Sequence, residues 1–365
     1  MATEAKVVES AFRLGAGRYI QEAGAINRIA EELTLIGKNR PFILHGCQHS
    51  ALVAEKIISL LDEDGVKANA LKYEGFCNKE KCERIICDAS VCASDSIIAI
   101  GGGNVIDAGK IIAESLNLPI ITIPTSSATC AAYTPLSVCY NERGQTVGTV
   151  HHKREVCAVL VDMDIIATQP ARLLISGAYD AMAKLPELNQ RLIGKGEHEI
   201  DIGLRASYEY SHFIYERLGE ILPRAVLDLT NKNQSKELYD CVYISIALTG
   251  AISGLARGSN QCAIAHKIYE VSRTLFPEIV RDVLHGELVA IGLILQHKYN
   301  MDTEEEAFKE NMKMFGMPTS LSELRIPTDE ESIKKYQERI EASSALKGAS
   351  EEEIQRFRDA FQAIV

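Results

Sequence analysis

The sequence contains no tryptophan and only 6% aromatic residues, and nowhere does a basic stripe alternate with the aromatics it has. Binding of single-stranded nucleic acid draws on that combination, because bases stack on rings while cations follow the phosphates. An excess of positive charge is missing too: 39 basic residues face 50 acidic ones, the formal net charge is −11 and the pI is near 5.4, which opposes nonspecific attachment to nucleic acid or anionic membrane. No apolar run approaches the length of a spanning helix, and the opening Met1-Ala2-Thr3-Glu4-Ala5-Lys6 has no hydrophobic signal core. A cytoplasmic protein with neither nucleic-acid nor membrane partners is expected.

Disulfides are not expected either. A chain of this size needs no covalent staples, and the ten cysteines suit a reducing compartment as free thiols. Cys77, Cys82, Cys87 and Cys92 recur every five residues, but the segment from Asn78 to Ala89 reads as helical. A step of five turns about 140° around a helix and scatters the thiols, so no metal cluster is expected there.

What the chain does have is length and a core: 365 residues, 46% hydrophobic and 24% charged, suit two domains. The most informative stretch runs from Ser96 to Tyr140. Ile97-Ile98-Ala99-Ile100 reads as a strand, Gly101-Gly102-Gly103-Asn104 as a turn, and the residues through Asp107 and Lys110 as a helix. Glycines let backbone amides approach a ligand, and the unpaired amides of a helix start attract a pyrophosphate. A second strand, Pro119 to Ile123, runs into Pro124-Thr125-Ser126-Ser127-Ala128-Thr129, whose hydroxyls can bond phosphate or ribose.

Up to Asp164, short Val/Ile-rich runs alternate with helical patterns: Pro41 to Leu44, Val66 to Leu71, the two strands above and Val156 to Val161. That rhythm predicts an α/β, Rossmann-like doubly wound parallel sheet over residues 1–164, with its crevice at the carboxyl ends of the strands. Beyond it, Asp240 to Leu255, Cys262 to Leu275 and Leu284 to His297 show helical periodicity, predicting an all-α domain over 165–365. The acidic runs Glu304 to Glu306 and Glu351 to Glu353 read as starts of surface helices. Within the helical half, Asp180, His266 and His285 each stand beside small apolar residues. Each alone also reads as a helix cap or a core histidine. Together, one carboxylate and two imidazoles with a position left open make a catalytic zinc or ferrous set.

The block Gly101 to Lys110, the Pro124-Thr125 turn, the Asp180 block and the two histidine blocks resemble, in order and surroundings, the iron-containing alcohol dehydrogenase superfamily, in its glycerol dehydrogenase-like branch. The resemblance covers nearly the whole chain. It implies a nucleotide-binding domain, a helical domain, and a metal and nicotinamide meeting between them. The metal ligands it implies are Asp180, His266 and His285. Members that use iron commonly have a histidine four residues after the aspartate; here that residue is Lys184, which favours zinc over iron. The coenzyme is expected along Gly101, Gly102, Gly103, Asn104, Val105, Ile106 and Asp107, then Thr125, Ser126 and Thr129, then Thr134, Leu136 and Tyr140, with His45 and Gly46 near the adenosine end.

Departures from the pattern bear on the substrate. Glycerol dehydrogenases carry an aspartate after the Pro-Thr turn that accepts bonds from polyol hydroxyls; this chain has Cys130. The change removes an acceptor and also a charge that would repel an anionic substrate. Ala128 to Val138 resembles the hydroxycarboxylate dehydrogenase relatives, which reduce 2-oxo acids and also carry the lysine. Lys184 lies about one turn beyond Asp180 on the same face, so its ammonium is expected to reach a substrate carboxylate; a solvated helix lysine is the bland alternative. No acid follows Phe42-Ile43-Leu44, where NAD-preferring folds place one for the ribose hydroxyl, so NADP is favoured modestly over NAD. Relatives often have a histidine three residues after the first metal histidine; Tyr269 stands there and is a candidate proton relay. The expected reaction is metal-dependent hydride transfer between 2-oxo and 2-hydroxy acids, in a homo-oligomer acting on a small molecule. Polyol oxidation is the alternative, and a dehydroquinate synthase-like cyclase or a non-catalytic relative are the remaining readings.

Overall fold

A computed structural model describes residues 13–88, 91, 93–257 and 261–365. Six strands form one parallel sheet in the order β1-β8-β5-β4-β2-β3: β1 Arg18–Glu22, β2 Pro41–His45, β3 Asn69–Lys72, β4 Ser96–Gly101, β5 Ile120–Pro124 and β8 Ala158–Asp162. Alternation along the strands explains the two-sided burial. Ile43, Ile98, Ile100, Ile121, Ile123 and Leu160 pack with Ile29, Leu33, Val53 and Ile57 on one face. Phe42, Leu44, Ile97, Ala99, Val159 and Val161 face the other way, into a core continuous with the helical half. The order reverses between β2 and β4, and there, at the carboxyl ends, the glycine turn leaves the sheet.

Two strand features were not expected. β1 is half polar and owes its conformation to pairing with β8, from Arg18 opposite Ala158 to Glu22 opposite Asp162. An antiparallel hairpin, β6 Leu136–Tyr140 and β7 Thr146–His151, stands apart from the main sheet. It is bolted to the helix Gly103–Ser115 by two buried charges. Asp107 Oδ2 accepts from Val138 N at 3.1 Å, and Lys110 Nζ pairs with Asp107 at 2.8 Å while donating to Leu136 O in β6 and to Ala131 O at 2.9 Å.

From Met163 onward every described regular element is helical. Contrary to expectation, the run Lys236–Leu255 is long and apolar enough to cross a membrane by length and composition; 67% of its apolar window is buried inside the protein, and it packs on the helix Ile202–Thr230. The acidic runs do open helices. Glu305 and Glu306 fill the first turn of Glu305–Met314, and Glu353 completes a capping box with Ser350. Cys77 and Cys82 are buried and Cys87 exposed; none joins a metal-sized cluster among the described residues, and Cys92 lies outside them.

Candidate active site

Asp180 sits near the end of the helix Ala171–Met182, which is buried from Leu174 onward. Close backbone approach sets its place. A Cβ on Gly177 would stand 1.9 Å from Ser127 O, in the loop after β5, so that helix lies directly against the loop. A Cβ on Gly286 would stand 1.9 Å from Ser176 O, which brings the start of the helix His285–Asn300 equally close. Arg172 adds a two-pronged bond to Glu287, at 2.5 and 2.7 Å, between the same two helices. The third ligand, His266, lies in the first turn of the helix Ile264–Leu275.

The outcome is a convergence. Asp180 Oδ1 lies 3.2 Å from His266 Nε2 and 3.4 Å from His285 Nε2, and one donor atom from each residue falls within 4.8 Å of the others. Bonds of about 2.0 to 2.1 Å around a tetrahedral zinc place neighbouring ligand atoms about 3.4 Å apart, so the donors fit such an ion. Burial works against the Asp180 carboxylate, yet Lys184 and His285 hold its pKa well below the usual range. Burial pushes the His285 pKa down, leaving a neutral imidazole with a free lone pair.

Glu187 supports the set and was not anticipated. It is fully buried, and its carboxylate accepts from Ala263 N at 2.7 Å and His266 N at 2.9 Å, while Oε2 meets His266 Nδ1 at 2.6 Å. With Nδ1 so engaged, Nε2 is the nitrogen turned to the ligand centre. Burial alone would lower the His266 pKa; Cys262 and Glu187 more than reverse this and raise it to about 10. His266 Nε2 faces Asp180 Oδ1, which asks for a proton between them, and also Lys184 Nζ at 3.0 Å, which asks for a lone pair. A divalent ion among the three ligands removes the conflict, since oxygen and nitrogen then both donate to it.

Lys184, expected on the same face as Asp180, is there, but as part of the ligand cluster. Its Nζ lies 3.2 Å from Asp180 Oδ1, and the residue is 3% exposed. The solvated alternative is therefore excluded.

Above the ligands opens a cleft of about 560 Å³. From the expected coenzyme set, Gly102, Gly103, Asn104, Asp107, Ser126, Thr129, Thr134, Leu136 and Tyr140 line it. Gly101, Val105, Ile106, Thr125, His45 and Gly46 lie off its wall; Val105 and Ile106 are core residues. Asp107's carboxylate holds the hairpin, as described. Cys130 lines the cleft, and burial raises its pKa to about 12, which keeps it a neutral thiol. Tyr269 donates to or accepts from Tyr140 Oη at 2.6 Å, and its ring centroid lies 4.2 Å from that of His285. Arg273, also unanticipated, lines the same wall.

A buried carboxylate and two imidazoles, set at the floor of a cleft that begins at the glycine turn of a parallel sheet, define a metal-containing dehydrogenase working with a nicotinamide dinucleotide. The profile of iron-containing alcohol dehydrogenases matches residues 16–163. A glycerol dehydrogenase of Thermotoga maritima is 30% identical over 330 residues, spanning 87% of this chain and 86% of its own. Hydroxycarboxylate dehydrogenase A of Escherichia coli is 27% identical, over 86% and 85% of the two chains. The solved structure of a probable glycerol dehydrogenase from Sinorhizobium meliloti shares the fold, with a TM-score of 0.80, 24% identity and 97% of each chain covered. The chain belongs to the iron-containing alcohol dehydrogenase family.

Proposed function

We propose that the protein interconverts 2-oxo acids and 2-hydroxy acids with NADP(H), on a zinc ion held by Asp180, His266 and His285. Residues 1–164 serve in this reading as the coenzyme half and 165–365 as the metal and substrate half. A bound divalent ion supplies Lewis-acid polarisation of the oxo group, and the nicotinamide supplies the hydride. The chain's own residues do the rest. Gly102 to Asn104 and the hydroxyls of Ser126 and Thr129 hold the coenzyme against the sheet end, where fixed orientation favours transfer. Lys184 meets the carboxylate beside the oxo group, being 3.2 Å from Asp180 within the ligand cluster. Tyr269 and Tyr140, 2.6 Å apart, move the proton.

The observation that carries the substrate class is Cys130, a neutral thiol in the cleft wall where polyol-oxidising relatives hold an acid. It neither repels a carboxylate nor accepts from a row of hydroxyls. Polyol oxidation is the second reading, supported by the 30% identity to the Thermotoga maritima glycerol dehydrogenase. For the coenzyme, the end of β2 offers Cys47, and the nearby Glu74 is matched by Lys72 at 2.5 Å, so no net negative charge opposes a 2′-phosphate. Exposed Ile202, Tyr210, Phe213 and Leu227 on one long helix support a homo-oligomer, which we place in the cytoplasm. The test is a panel of 2-oxo acids and glycerol with NADH, NADPH and their oxidised forms, after the bound metal is measured. Oxo-acid reduction faster than glycerol oxidation is expected; efficient glycerol oxidation without oxo-acid reduction overturns the reading.

A further inference from the structure

Arg273 is 6% exposed, and no carboxylate lies within ion-pair distance of it among the described residues. Its terminal nitrogens donate to backbone carbonyls, Val283 O at 2.8 Å and Arg281 O at 3.4 Å, and lie beside the Tyr269 hydroxyl, while its Nε has no hydrogen-bond partner among the described residues. Carbonyl oxygens satisfy donors but do not cancel a buried charge, and a buried cation is costly unless something does. The rings of Phe76 and Tyr269, with centroids 5.5 and 5.7 Å from the guanidinium carbon, offset part of that cost. The guanidinium therefore stands in the cleft wall as a cation lacking an anion.

Its position relates it to the reacting centre. His266, Tyr269 and Arg273 follow one stripe of the helix Ile264–Leu275. Tyr269 bridges the two sites, with its ring 5.7 Å from the Arg273 guanidinium carbon and 4.2 Å from the His285 ring. Lys184 stands beside the ligands, 3.2 Å from Asp180 Oδ1 and 3.0 Å from His266 Nε2, so it and Arg273 are separate cationic positions of the cleft.

We propose that Arg273 is the receptor for a second carboxylate, making this cleft selective for short dicarboxylic 2-oxo acids. The oxo group and its adjacent carboxylate lie at the ligand floor by Lys184, and the far carboxylate takes a charge-assisted bond from Arg273. This rests on the 2-oxo acid reading, but the receptor can be tested apart from turnover. The alternative source of an oxyanion is a coenzyme phosphate, which the same experiment separates.

Binding of glutarate and of butyrate to the metal-loaded protein is measured by calorimetry, with 2-oxoglutarate and 2-oxobutyrate as the reducible counterparts. Glutarate should bind about 10- to 100-fold more tightly than butyrate. Arg273→Met should abolish that difference, and Arg273→Gln, which can still donate to the Val283 carbonyl, should abolish it too while keeping the melting temperature. NADPH affinity, read by fluorescence, should not change. Equal binding of the two acids by the unmodified protein overturns the proposal, as does an equal loss for both in Arg273→Gln, which marks a structural role. A loss confined to NADPH affinity overturns it in favour of a phosphate contact. Glutarate binding that depends on Arg273, without turnover of any 2-oxo acid, sustains the receptor and removes the reaction proposed above.

Discussion

Glu187 Oε2 lies 2.6 Å from His266 Nδ1, and the other oxygen of the same carboxylate accepts the backbone N–H of Ala263 and of His266. One buried acid thus caps a helix from outside and points the imidazole that the helix carries. Glu187→Gln should keep the backbone bonds through its amide oxygen and weaken the hold on Nδ1. We expect metal affinity to fall about 10- to 100-fold, with activity recovering at high metal concentration. Metal titration followed by turnover decides it; unchanged affinity would show that Glu187 serves only the helix.

His285→Ala should leave two protein ligands, too few to hold a divalent ion in a geometry open to substrate. Metal content by mass spectrometry should drop to background and activity should largely vanish. A variant that retained both would sink the ligand assignment.

Cys130→Asp should place a carboxylate in the cleft near Asp180 and Lys184, which already act on the thiol. The KM for 2-oxo acids should rise, by roughly tenfold if the new charge costs about 1.4 kcal/mol, and glycerol oxidation should improve. No change in either substrate would detach Cys130 from specificity.

Lys184→Met should lower kcat/KM for 2-oxo acids by about 10- to 100-fold, the worth of a charge-assisted hydrogen bond, and should spare a neutral aldehyde. Because Lys184 Nζ touches Asp180 and His266, equal losses on acid and aldehyde would place it among the supports of the metal.

His152 supplies a pH dependence. Burial first, then Lys110 and His151, lower its pKa to about 3, and its Nε2 bonds Ser137 Oγ at 2.8 Å. A depressed histidine keeps the folded state unprotonated while the unfolded chain takes up a proton below about 6.5. Stability should therefore fall as pH drops from about 6.5 toward 3, by up to about 1.4 kcal/mol per pH unit. His152→Gln should flatten denaturant-measured stability between about pH 6 and 4; an unchanged slope would assign the acid sensitivity elsewhere.

Much of this was legible in the chain. Parallel strands fully buried on both faces must read as apolar runs, and β2, β4, β5 and β8 did. β1 did not, because Arg18-Tyr19-Ile20-Gln21-Glu22 has a single aliphatic residue between polar ends and owes its conformation to pairing with β8. The hairpin β6-β7 was hidden for a similar reason: Asp107, which reads as a coenzyme residue, and its neighbour Lys110 hold it in place from inside the core. Asp180, His266 and His285 could be suspected singly, but their convergence depends on backbone contacts that no spacing reports. Glu187 had a usable signal, lying seven residues beyond Asp180 on the stripe that also carries Lys184. Arg273 had none, since only the missing counter-charge sets it apart from any helical arginine.

The contacts at Gly177 and Gly286 divide the cleft into parts that evolve by different rules. Ser127, the helix bearing Asp180 and the helix opening at His285 touch backbone to backbone, with no side chain between them to trim or enlarge. Adjustment there has no small step, as even one methyl group would push two helices apart. Cys130 and Arg273, by contrast, line the cleft and carry side chains that can be exchanged. A lineage, or an engineer, can therefore exchange one substrate for another at the walls while the floor stays fixed, and a directed library confined to wall positions should yield altered specificity far more often than loss of metal.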